Sequence, residues 1–195
     1  MKEIMQKDII LFGTQGSGKG TQAKMLLERK LLKHKHFESG QILRALKSND
    51  NMIGAHMREI INTGGLIDDE VIYKLFEVFM HFIGRDEYIL SDGFLRTLNQ
   101  MYYYLHKMHL AGDRDFIGIF YDIPREVAME RLLKRAEEQH RGDDTMDAIM
   151  MRLNLFEKNT LPVIHYLDKI GKIIRIDASK SVDEIFDNTC GILRL

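Results

Sequence analysis

Short apolar runs alternate along this chain with stretches in which apolar positions recur every three or four residues. Residues 9–12, Ile-Ile-Leu-Phe, are unbroken apolar sequence ending at a glycine, the pattern of a strand buried on both faces. Beyond a glycine-rich turn, Ala23, Leu26, Leu27 and Leu31 fall at helical spacing and predict a helix with one apolar face. A weaker strand is expected over 34–38 and a helix over about 40–47. Residues 50–85 read as three helical stretches with no strand, broken at Thr63-Gly64-Gly65. A strand at 88–90 precedes a helix over 97–111, and 116–121 is the clearest strand of all. Pro124 is expected at the first position of the next helix, where its missing N–H has no intrahelical partner to lose. A polar stretch over 139–145 leads into one long helix over about 146–170, then a last strand at 172–176 and a closing helix from Val182. Strand–helix alternation of this kind implies an α/β fold with a parallel sheet covered on both faces and ligands at the carboxyl ends of its strands.

The chain has 195 residues, 45% of them hydrophobic, which suits one domain with a sizeable core and no need of a staple. Its 28 basic and 29 acidic side chains leave a net charge of −1, so neither nucleic acid nor a membrane surface is an expected partner. The single cysteine, Cys190, excludes an intrachain disulfide and fits a reducing, cytoplasmic setting. The charged N-terminus shows no secretory address, and the longest apolar stretch, 71–83, is interrupted by Lys74, Glu77 and His81. The histidine pairs His34/His36 and His106/His109 lack matching acidic or thiol partners and read as surface or packed residues, not metal ligands.

The sharpest chemical signal is Gly13-Thr14-Gln15-Gly16-Ser17-Gly18-Lys19-Gly20-Thr21, between a buried strand and the start of a helix. Glycines there let backbone N–H groups approach phosphate oxygens with no Cβ in the way. The helix N-terminus adds unpaired N–H groups and its positive dipole end, and Lys19 adds a full charge. The general phosphate-loop pattern has Ser or Thr directly after the lysine; here Gly20 stands there and the hydroxyl is delayed to Thr21.

A Gly-Ser-Gly-Lys-Gly-Thr-Gln ending resembles the adenylate kinases among the nucleoside monophosphate kinases, and further segments extend the resemblance over residues 8–190. Ser39-Gly40-Gln41-Ile42-Leu43-Arg44 is similar to the family's Ser-Thr-Gly-Asp-x-x-Arg. Thr63-Gly64-Gly65-Leu66-Ile67 resembles the stretch touching the acceptor base. Asp92-Gly93-Phe94-Leu95-Arg96-Thr97 with Gln100 resembles Asp-Gly-Phe-Pro-Arg-Thr-x-x-Gln. Arg131 to Arg135, Arg141-Gly142-Asp143-Asp144 and Arg152-Leu153 resemble the lid and the helix returning from it.

The resemblance implies a five-stranded P-loop fold, a helical acceptor-binding lobe over 39–85, and a short lid over 138–147 of the compact, cysteine-free form. It implies MgATP bound by Gly16, Ser17, Gly18, Lys19, Gly20 and Thr21, with Arg131 along the donor base and Arg135 on the phosphates. Ser39, Arg44, Ile67, Gly93, Arg96 and Gln100 would hold AMP, with Arg135, Arg141 and Arg152 closing around the transferred group and Asp92 ordering waters about Mg²⁺. Guanidinium suits this task because its planar fork meets phosphate oxygens two at a time. The implied reaction is ATP plus AMP giving two ADP, in a monomer. A UMP/CMP-type kinase and a nucleotide-binding regulatory protein without catalysis are the alternatives; the Thr97 and Gln100 pattern favours AMP.

The sequence also departs from the family. Gln15, Asp68 and Leu95 stand where the family has prolines, which predicts looser turns at those points. Gln41 replaces an aspartate, Ser39 a threonine, and Glu38 puts a charge at a serine position.

Overall fold

In a computed structural model the chain is described from residue 6 to 195, apart from Lys30, Arg85, Asp113 and residues 140–144. The elements run β1 (Asp8–Phe12), α1 (Lys19–Glu28), β2 (Lys35–Glu38), α2 (Ser39–Lys47), α3 (Met52–Asn62), α4 (Asp69–His81), β3 (Ile89–Asp92) and α5 (Leu98–Leu110). They continue as β4 (Phe116–Asp122), α6 (Arg125–Gln139), α7 (Met146–Leu155), a π-helical turn Phe156–Thr160, α8 (Leu161–Lys169), β5 (Ile173–Asp177) and α9 (Val182–Leu193). The five strands are all parallel, in the order β2-β3-β1-β4-β5.

β1 shows why its apolar run is unbroken. Ile10 and Phe12 pack on one face with Phe37, Phe94 and Tyr104, while Ile9 and Leu11 pack on the other with Ala23, Leu26 and Phe186. Alternate residues of a strand face opposite sides, so a sheet covered on both must be apolar at every position. A third, smaller core joins α6 to α7 through Ala128, Leu132, Ile149 and Leu153. At the amino end of the sheet, Asp8 is 1% exposed. It accepts from Arg114 Nη2 at 2.6 Å, from the Ile89 N–H at 2.9 Å and from the Tyr104 hydroxyl at 3.2 Å. A buried carboxylate is tolerable when cation and donors surround it in this way.

Three expectations are corrected. Residues 50–85 hold two helices, α3 and α4, separated by the left-handed Gly64. The single helix expected over 146–170 is interrupted by the π-helical turn just before Pro162, whose nitrogen cannot donate back into the preceding turn. Pro124 lies one residue before α6, although its carbonyl accepts the helix's first bond, from the Ala128 N–H at 3.0 Å. Half of the proposed lid, 138–147, falls on 140–144, outside the described residues.

Two of the three positions without the family's prolines are restrained by other means. Asp68 caps α4, accepting from the Glu70 N–H at 2.8 Å. Leu95 is fully buried in the core with φ of 58°, in the left-handed region that a branched side chain rarely enters. Burial of its side chain holds that turn where the family has a ring.

Candidate active site

The turn after β1 is built so that backbone, not side chain, lines it. Gly13, Gly16 and Gly18 have φ of 145°, 86° and 86°. A Cβ on Gly13 would lie 2.7 Å from the Tyr121 carbonyl, and one on Gly16 would lie 2.8 Å from that of Ala128. Only glycine satisfies both the backbone geometry and the close packing. Gly18 then occupies the N-cap of α1 with no side-chain cap, leaving the first helical N–H groups directed at the cleft. The Ser17 side chain is sealed beneath the loop, and its N–H bonds to the Thr14 carbonyl at 3.2 Å. It shapes the loop from below.

Above this loop opens a cleft of about 1210 Å³ at the carboxyl ends of the strands. A pocket for a single small ligand commonly spans about 300–1,000 Å³, and this cleft exceeds that range. Its walls carry Lys19, Arg44, Arg96, Arg131, Arg135 and Arg152, with Gly20, Thr21, Ile67, Asp92 and Gly93 between them. Lys19 folds back, donating to the Gly13 carbonyl at 2.8 Å and the Thr14 carbonyl at 3.0 Å. Burial lowers its ammonium pKa from 10.5 to about 8; Asp92 works against that shift, and Arg96 and Arg135 add to it. Arg96 is also held below its ordinary value, by burial first, with Asp92 opposing and Arg152 and Arg44 reinforcing. Cations that depress one another across a shared cleft form an anion site, since a polyanion relieves both desolvation and repulsion.

Three of these arginines are held by backbone carbonyls. Arg96 donates from Nε to the Gly93 carbonyl at 2.9 Å, and its own carbonyl accepts from the Thr160 hydroxyl at 3.0 Å. Gly93, with φ of 87°, has no room for a Cβ: that atom would meet Ser39 Oγ at 2.6 Å and Arg96 Nη2 at 2.9 Å. Arg131 sends Nη1 to the Ala178 carbonyl at 2.8 Å and Nη2 to those of Ser179 and Lys180, both at 3.2 Å. It thereby fastens the turn between β5 and α9 to the edge of the cleft. Arg152 reaches the Ile61 carbonyl at 3.3 Å, linking α7 to the end of α3.

Two of the expected acceptor-site residues do not line the cleft. Ser39 donates its hydroxyl to the Gly93 carbonyl at 2.7 Å and is buried. Gln100 is also buried: Oε1 accepts from the Arg96 N–H at 2.8 Å, and Nε2 donates to Asp69 Oδ1 at 2.7 Å. Both ends of that amide are committed to holding Arg96 and α4 in place, which the sequence pattern did not disclose. Asp69, which also accepts from the Thr97 hydroxyl at 2.8 Å, was missed for the same reason. It looks like an ordinary first-turn acid, and only the fold brings α5 against it. Thr160 gave no signal at all. Arg141, Asp143 and Asp144 lie outside the described residues.

The described residues contain no cluster of three or more metal-ligating side chains. Asp92, at the end of β3 and in register with Leu11, stands beside the phosphate loop: a Cβ on Gly20 would lie 3.4 Å from its Oδ2. One carboxylate beside a phosphate cradle fits magnesium that arrives on nucleotide phosphates and keeps several waters, and does not fit an all-protein metal cage. No helix among the described residues is long and apolar enough to cross a membrane.

A backbone phosphate cradle at the mouth of a parallel sheet, facing a ring of guanidinium groups, defines a nucleotide phosphotransferase of the P-loop class. The family model for adenylate kinase matches residues 11–172, and the chain belongs to the adenylate kinase family. It is 34% identical over 182 residues to an adenylate kinase 1 of Schistosoma mansoni, covering 93% of this chain and 89% of that protein. It is 33% identical over 184 residues to UMP-CMP kinase 1 of Oryza sativa subsp. japonica, covering 94% of this chain and 72% of that one. A human UMP-CMP kinase is 30% identical over 189 residues, with 94% and 95% covered. The chain is a nucleoside monophosphate kinase.

Proposed function

We propose that this enzyme moves the γ-phosphoryl group of MgATP to AMP, reversibly giving two ADP. The observation that carries this reading is the convergence of Lys19, Arg44, Arg96, Arg135 and Arg152 on one continuous cleft. Phosphoryl transfer requires two nucleotides held in line, charge neutralised on the moving group, and water kept away. Donor phosphates rest on the loop from Gly16 to Thr21, where Lys19 exchanges its carbonyl partners for phosphate oxygens. Arg44 and Arg96 hold the acceptor phosphate, and Arg135 and Arg152 close on the group in transit, with Arg141 joining them from the lid. A magnesium ion, when bound, would neutralise negative charge on the donor phosphates, and Asp92 would hold its waters. Residues 39–85 and the lid over 138–147 close over the nucleotides and exclude water. We place this monomeric enzyme in the cytoplasm.

Selectivity for AMP is supported by the family match and by relatives named adenylate kinase. A UMP/CMP reading is supported by the commitment of Gln100 to Arg96 and Asp69, which takes away the amide best suited to an adenine edge. ADP formation from MgATP with AMP, UMP, CMP or GMP in turn decides between them: AMP is expected to be fastest, and a faster pyrimidine substrate overturns that reading. Lys19→Ala should lower turnover about 10²–10³-fold, the usual loss for one transition-state charge partner, while near-normal turnover would remove Lys19 from the reaction.

A further inference from the structure

Glu38 ends β2 at the wall of the cleft, in the N-cap position of α2, yet its carboxylate accepts no bond from the helix N-terminus. It turns instead to Arg44, whose Nη2 donates to Oε1 at 2.8 Å. The Arg44 side chain doubles back along its own helix to make this contact, lying so close over Gly40 that a Cβ there would be 3.0 Å from Nη1. A glycine at the second position of α2 is what leaves room for the parked guanidinium. Arg44 therefore has two anions to choose between, one built into the chain and one brought by substrate. Both partners are partly exposed, at 43% and 27% of their side-chain surfaces, so the pair is reachable by an incoming ligand and weak enough to yield.

We propose that Glu38 is an internal competitor for the acceptor's phosphate, holding Arg44 until that phosphate displaces the carboxylate and reclaiming it when product leaves. The effect is to lower acceptor affinity at no cost to the donor site, which Glu38 does not reach through Arg44. This rests on the reading of Arg44 as a phosphate ligand. A competitor of this kind acts on the phosphate, so it weakens every monophosphate equally and is blind to the base. A carboxylate that touched the ribose or the base would do the opposite, since its removal would cost affinity and cost it unequally.

The test is steady-state kinetics of Glu38→Gln and Glu38→Asp, with AMP and UMP as acceptors, beside Arg44→Ala and the double variant Glu38→Gln/Arg44→Ala. Glu38→Gln should lower the acceptor KM about two- to tenfold, the range of a partly exposed charged hydrogen bond. The donor KM should stay fixed, both acceptors should shift alike, and Glu38→Asp should revert part of the way. In the Arg44→Ala background the same change should have no effect. A raised or unchanged acceptor KM in Glu38→Gln, or a shift confined to one base, overturns the proposal. If Arg44→Ala itself leaves the acceptor KM unaltered, it is the phosphate role of Arg44 that fails; if it raises KM while Glu38→Gln does nothing, only the competitor role fails.

Discussion

Lys19→Met should make the ligand-free enzyme more stable while removing its activity. The Lys19 ammonium sits on the carbonyls of Gly13 and Thr14, with Arg96 and Arg135 nearby, and burial lowers its pKa from 10.5 to about 8. Keeping it charged at pH 7 against that environment costs on the order of 3 kcal/mol. Methionine keeps the apolar stem and removes the charge, but leaves two carbonyls without their donor, at roughly 1 kcal/mol each. The balance is about 1 kcal/mol in favour of the variant, a rise in Tm of roughly 2–4 °C for a chain of this size. The pH dependence follows from proton counts. Below pH 8 both folded and unfolded chains carry the proton and the whole penalty is present. Between about 8 and 10.5 the unfolded chain keeps a proton that the folded one has lost, so wild-type stability rises relative to the variant, and the gap of about 1 kcal/mol closes and then reverses. Calorimetric melts of both proteins at several pH values between 7 and 10.5 measure this directly. A variant that melts below wild type at pH 7, or a gap indifferent to pH, would refute the assignment of strain to that ammonium. Adding ATP should reverse the ranking, because only the wild type gains a partner for the charge.

Asp8→Ala leaves Arg114 and the Tyr104 hydroxyl without their buried acceptor, and a loss of about 3–5 kcal/mol is expected in denaturant titration. Gly64→Ala drives a Cβ into the Ala148 carbonyl of α7 at a φ of 78°. It should cost roughly 1–2 kcal/mol from the backbone alone, and activity should fall further than stability because α7 carries Arg152. Gln100→Leu strands the Arg96 N–H and takes the donor from Asp69 Oδ1, costing about 1–3 kcal/mol. Its acceptor KM should rise for AMP and UMP alike if the amide only positions Arg96, whereas a rise confined to AMP would mean that it reads the base.

The strands and the phosphate loop were legible in the sequence because their causes are local. Residues 9–12 are apolar at every position since both faces of β1 are covered, and Gly13 and Gly16 sit where φ is positive and a Cβ would strike the Tyr121 or Ala128 backbone. Periodicity and glycine placement carry that information directly. The ring of arginines was legible only as an ordered set of motifs, since helical spacing cannot tell a clamp from a solvated face. What residues do to one another across the fold was not written locally at all. Gln100 meets Asp69 from 31 positions away and Thr160 holds a carbonyl 64 positions off. The π-helical turn that carries Thr160 interrupts what reads as one helix, and Leu95 takes a left-handed conformation that no property of leucine favours. Local chemistry selects the elements and the kind of ligand they can hold. Which polar groups are spent on the protein itself and which stay turned toward a substrate is settled by packing, because a buried donor takes whatever acceptor the fold brings within 3 Å.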